Sequence, residues 1–175
     1  MLLPVITAFI GGGLALAGVW FSNKNSKELL KLQLDKSEQN TRSEILRARL
    51  EELYEISGKW AVSYFSYHVP LQAVMKGDIT YNNALDVISD RGSDNYASRM
   101  FMLGELYFSE CREQLNEVKR LRDLAETIQS DFKKDYKDNG LPSEKHAEGI
   151  TKILELSNSA INDYRASLGK YAREV

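Results

Sequence analysis

Two histidines, one cysteine and a run of carboxylates are the side chains from which this chain could build a reactive centre. His68 and His146 lie far apart in sequence, and neither has a glutamate three residues before it. A helical di-iron site needs Glu-x-x-His pairs on two helices, so no such site is expected. Glu144 and His146 are two apart, a spacing that points them to different sides of a helix. No metal and no cofactor is expected. Cys111 falls on a helical stripe between Tyr107 and Gln114, away from any expected helix end. A reactive thiolate needs a cation or a helix N-terminus beside it, so Cys111 reads as a small apolar core residue. A single cysteine also excludes an intramolecular disulfide and any multi-cysteine metal site.

The carboxylates are Glu51, Glu52 and Glu55 on the first helix, and Glu105, Glu110, Glu113 and Glu117, the last set interleaved with Arg112, Lys119, Arg120 and Arg122. Mixed runs of this kind are solvated helix faces. Glu51/Glu55 and Glu113/Glu117 repel at i,i+4, which leans toward a basic partner surface. No catalytic residue emerges, and the chain reads as a non-enzyme. Aromatic residues are the richer signal. Trp60, Tyr64, Phe65, Tyr67 and His68 fall within nine positions, and Tyr81, Tyr96, Phe101, Tyr107 and Phe108 follow later. Antiparallel helices would gather them at one end of a bundle, either as a bulky core layer or as a pocket. The candidate docking or pocket residues are Trp60, Tyr64, Tyr67, His68 and Tyr107, because tyrosine and tryptophan join apolar area to a polar tip.

The elements that must position these residues read as helices throughout. Leu46, Leu50, Leu53, Ser57, Trp60, Tyr64, Tyr67 and Leu71 follow at steps of three and four, with Pro70 as an expected end or kink. Thr80 caps a short helix to about residue 90. Arg91 and Gly92 close it, and Ser93 or Asp94 caps a third helix over 95–136, with the stripe Met100, Gly104, Tyr107, Cys111, Gln114, Val118, Leu121, Ala125, Ile128 and Phe132. A turn at 138–142 leads to Ser143 as the cap of the last helix, whose stripe is Ala147, Ile150, Leu154, Ser157, Ile161, Tyr164, Leu168 and Tyr171. The expected fold is all-α: one N-terminal transmembrane helix, then an antiparallel bundle of three long helices and one short one.

The transmembrane expectation comes from residues 1–21, MLLPVITAFIGGGLALAGVWF, which carry no charge. About 20 helical residues cover a bilayer core. Trp20 and Phe21, followed by Lys24, Lys27 and Lys31, read as a membrane interface. The lysines place the C-terminal domain in the cytoplasm and the N-terminus outside, at the inner membrane. Ala15-Leu16-Ala17 also offers a cleavage pattern, so a secretory signal and a buried core helix stand as alternatives. Ala8, Gly11, Gly12, Gly13, Ala15 and Ala17 supply small-xxx-small spacings for helix association in lipid. Residues 22–45 read as a polar stalk, in which Leu29, Leu30, Leu32 and Leu34 cluster, and residues 46–175 as the bundle domain. The chain has 175 residues and a net charge of −2, which suits one compact domain and disfavours a nucleic-acid partner.

The uncharged start, the glycine-containing span, the Trp-Phe exit and the RLEELYE helix together resemble small bacterial and prophage-type membrane-anchored helical proteins, over roughly residues 1–55. The resemblance implies a bacterial or phage origin and a helical cytoplasmic domain, and it carries no activity and no site residue. The expected partners are the lipid bilayer and a protein, or a second copy through the transmembrane helix. The expected function is to hold or regulate a protein partner at the cytoplasmic face of the membrane. Its alternatives are a small-ligand sensor with an aromatic pocket, and an envelope-bridging, lysis-like protein with the bundle exported.

Overall fold

The computed structural model describes residues 3–89 and 96–173, with side chains from residue 19 onward. Five α-helices follow in order: α1 (Leu3–Lys76), α2 (Tyr81–Ser89), α3 (Tyr96–Tyr107), α4 (Arg112–Asn139) and α5 (Glu144–Tyr171). A 3-10 turn at Ser109–Cys111 joins α3 to α4, and the described residues contain no strand. The chain divides into two units, Met1–Ile45 and Leu46–Val175.

In the first unit, Trp20 and Phe21 meet edge to face at 5.2 Å, and the Lys24 ammonium lies 5.7 Å from the Trp20 ring centre. Lys27 and Lys31 are exposed, as are Leu29, Leu30, Leu32 and Leu34. Among the described residues no helix is long and apolar enough to cross a membrane. This overturns the expected transmembrane anchor, and with it the single-pass inner-membrane placement. From Val19 onward α1 is charged at Lys24, Lys27, Glu28 and Lys31, so its described side chains hold no run of the about 20 apolar residues that a span needs. The small-residue face at Ala8, Gly11, Gly12, Gly13, Ala15 and Ala17 lies outside the described side chains.

The second unit is the helical bundle, built on one apolar core. Residues 46–76 of α1 bury Leu50, Leu53, Ser57, Trp60, Tyr64, His68, Leu71, Val74 and Met75. The stripe follows the expected steps except that His68 takes the inward position in place of Tyr67. Pro70 lies inside α1 and does not end it. Burial of Leu71, Val74 and Met75 beyond it outweighs the one backbone hydrogen bond that proline removes. The helix stops at Gly77, whose φ of +82° suits glycine. Its N–H donates to Val74 O and that of Asp78 to Ala73 O, the paired bonds of a Schellman cap.

Thr80 caps α2, its Oγ1 accepting the Asn83 N–H. The expected turn and cap at residues 91–94 lie outside the described residues. The single helix expected over 95–136 is instead broken between Tyr107 and Arg112. Phe108 leaves helical geometry (φ −131°, ψ 61°), is fully buried and meets the Tyr171 ring edge-on at 5.4 Å. Phe108 and Leu115 go inward where Tyr107 and Gln114 were expected, while Cys111, Val118, Leu121, Ala125 and Phe132 are buried as the stripe has them. The break also puts Cys111 at the N-cap of α4, not in mid-helix, although the side chain is buried as expected. A Cβ on Gly104 would fall 2.6 Å from Leu115 Cδ2 and 2.7 Å from the Tyr164 hydroxyl, so α3 reaches this depth only with glycine there.

Gly140, at φ +66°, ends α4 with its N–H on Tyr136 O. Ser143 is the N-cap residue of α5, but its hydroxyl bonds His146 Nδ1 (2.7 Å) and not the helix backbone. The Ser143 N–H donates to Met75 O at 2.9 Å, tying the α4–α5 connection to the end of α1. Every stripe position of α5 is buried except Tyr171, which is half-buried. Glu52 bridges Arg49 (2.7 Å) on its own helix and Arg99 (2.6 Å) on α3. Those two guanidiniums hold its carboxyl below the ordinary range.

Candidate functional site

The five candidate docking residues do not form one site. Trp60, Tyr64 and His68 are core residues, with Trp60 against Tyr64 at 5.1 Å and Phe101 at 5.9 Å. The Tyr64 hydroxyl is hydrogen-bonded to Ser157 Oγ at 3.1 Å, and burial pushes its pKa up. Tyr107 lies elsewhere, beside the Arg49 guanidinium and next to Phe108. Arg49 and Tyr67 are 18 positions apart on α1, about 27 Å of helix. Tyr67 stands at a surface cavity, and it is 47% exposed.

That cavity is a cleft of about 460 Å³ between α1, α2 and α4. Its floor is Leu71 and Met75 from α1 and Phe132 from α4, all buried. Tyr67 and Tyr81 stand along one side, and Glu126, Ser130 and Lys133 along the other. Helical spacing explains the assembly. Tyr67, Leu71 and Met75 recur every four residues, and Glu126, Gln129, Ser130 and Lys133 at i, i+3, i+4 and i+7, so each set shares one face. Tyr81 is held by stacking on Tyr136 (5.5 Å between centres), which packs on Phe132 at 5.4 Å. Desolvation raises the Tyr67 pKa, and nearby Tyr81 and Glu126 add to the effect.

Gln129 is the one polar group set into the floor, and behind it sits His68. The Gln129 amide donates to His68 Nδ1 at 2.5 Å, which places the imidazole proton on Nε2. Burial lowers the His68 pKa to about 4, so the ring is neutral at pH 7. A neutral ring with Nδ1 occupied is a structural anchor for Gln129, not a base facing the cleft. Ser130 shares the cleft with Glu126 and Lys133 and with no histidine. Among the described residues no group of three or more His, Cys, Asp or Glu is placed to hold a metal.

Sequence reasoning passed over Met75, Glu126, Gln129, Ser130, Phe132 and Lys133 as site residues. The signal for the α4 set was the polar i, i+3, i+4, i+7 face beside the apolar stripe. It was hidden because Ile128 also fits a three-or-four step and was assigned the inward position that Gln129 occupies. The like-charged pairs resolve differently from expectation: Glu55 pairs with Lys59 at 2.6 Å and Glu117 with Arg120 at 2.6 Å. Neither glutamate needs a basic partner. No family model, curated protein or solved structure matches this chain.

Proposed function

We propose that the bundle is a protein-interaction module that takes an apolar side chain of a partner protein into the cleft between α1, α2 and α4. The observation that carries this is Tyr67, nearly half exposed at the edge of a floor made by Leu71, Met75 and Phe132. Rigid aromatic side chains beside a desolvated apolar floor are the usual anchors of protein recognition. Glu126 and Lys133, of opposite sign on one rim, would fix the direction in which a charged segment lies. The partner is a protein segment with a protruding aliphatic or aromatic residue.

The test is selection of peptides from a displayed library against the full chain, followed by titration. Selected peptides should carry a central apolar residue and lose at least about tenfold in affinity with Tyr67→Ala. Leu106→Ala, an exposed apolar residue on α3, should leave them unchanged. Peptides indifferent to Tyr67→Ala and to Lys133→Glu would sink the reading. A small-ligand pocket is the second reading, supported by the Gln129 amide in an otherwise apolar floor and by a volume within the usual ligand range. It predicts that a compound from a thermal-shift screen stabilises the chain but not Gln129→Leu.

A further inference from the structure

A second groove, of about 410 Å³, lies where Tyr54 of α1 faces α5, and its charge is unlike that of the rest of the molecule. Arg165, Lys170 and Arg173 line it together with Asn162, and no carboxylate does. Several arginines of the bundle meet carboxylates, Arg49 and Arg99 on Glu52, Arg120 on Glu117 and Arg122 on Asp123. Arg165 meets none among the described residues. Its guanidinium carbon stands 4.3 Å from the Tyr54 ring centre, and a Cβ on Gly58 would be 3.4 Å from Nη1. The fork is therefore flattened between a ring and a helix backbone, in one fixed plane. Its Nε is buried with no hydrogen-bond partner.

The Nε edge is closed off, so the guanidinium meets the groove through its two terminal nitrogens. The planar guanidinium presents two parallel N–H groups, the geometry that matches phosphate oxygens. Lys170 and Arg173 suit the negative end of the α5 dipole. The dipole does not account for Arg165, which sits nearly two turns earlier. Arg173 Nε donates to Gly169 O, which holds that side chain along the groove. Arg165 to Arg173 spans about 12 Å of rise, longer than one tetrahedral anion and matched by a short phosphate chain.

We propose that this groove binds a di- or triphosphate group. Arg165 clamps one phosphate in its fork, the Asn162 amide donates beside it, and Lys170 and Arg173 take the phosphates that follow. The site is separate from the cleft of α1, α2 and α4, and neither reading depends on the other.

Isothermal titration of the full chain with inorganic phosphate, sulfate, pyrophosphate and tripolyphosphate at physiological salt tests it. Tripolyphosphate should bind at least about tenfold more tightly than phosphate, and Arg165→Lys should lose at least about tenfold although it keeps the charge. Arg173→Glu, at an exposed position that leaves the core intact, should abolish binding and guards against a misfolded Arg165 variant. Tripolyphosphate and adenosine triphosphate as separate arms distinguish a bare phosphate chain from one carried on a nucleoside, and Arg165-dependent binding of either supports the proposal. No heat of binding, or binding that follows ligand charge alone and is unchanged in both variants, overturns it.

Discussion

His68 shows what one residue changes when it moves from a helix rim to a core. The three-and-four spacing admits either Tyr67 or His68 at that turn, and hydropathy favours the tyrosine. The structure buries the histidine because Gln129 meets its Nδ1 across the core, a pairing that no single-helix pattern contains. A folded pKa of about 4 against 6.5 for the free ring has a definite sign. Between those values the unfolded chain binds a proton that the folded chain does not. Stability is therefore whole above pH 6.5 and falls as pH drops toward 4, by about 3 kcal/mol in all. The urea midpoint should decline from pH 7 to pH 5, above the range where Glu52, Glu105 and Glu117 protonate. His68→Gln, which can still accept the Gln129 amide, should flatten that decline. An unchanged slope would remove His68 as its source.

Among the elements, α5 was the most legible, since an uninterrupted 28-residue helix has one face to bury and its apolar positions name it. The α3–α4 break was not legible, because no proline or turn sequence marks Phe108. Its cause is tertiary: leaving the helix seals that ring against Tyr171. The turn that holds Gly140 was legible in the sequence, and the structure sets it beside the helix end at Gly77. Both hold positive φ, but a Cβ at Gly140 meets nothing, whereas one at Gly77 would lie 2.9 Å from Pro142 Cγ. Gly140→Ala should cost about 1 kcal/mol, the backbone strain alone. Gly77→Ala should cost more, through the added overlap, in chemical unfolding of both variants. Equal costs would mean that Pro142 yields freely.

At the scale of the molecule, the three-and-four periodicity read the all-helical class correctly, and composition read the N-terminal segment wrongly. An uncharged run announces a span by average hydropathy, yet no described helix is long and apolar enough to cross a membrane. The cleft was half legible, since Tyr67 was singled out but its α4 wall depends on which helices pack together. The division between Ile45 and Leu46 carries its own expectation, because the core begins at Leu50. A chain starting at residue 44 should keep the melting temperature of the full chain within about 4 °C by circular dichroism. A drop of more than about 10 °C would show that residues before 44 stabilise the bundle.

The hydrogen bond from Ser143 to Met75 reaches further than its single pair of atoms. An amide in a connection between helices ordinarily trades its proton for solvent deuterium as fast as an open chain does. This one is released only when the α4–α5 connection parts from the end of α1. In a deuterium-exchange spectrum Ser143 should persist as a slow resonance beside rapidly exchanging Leu141, on the timescale of the α1 interior. One assigned peak would then clock the opening of that end of the bundle, separately from the unfolding of the whole.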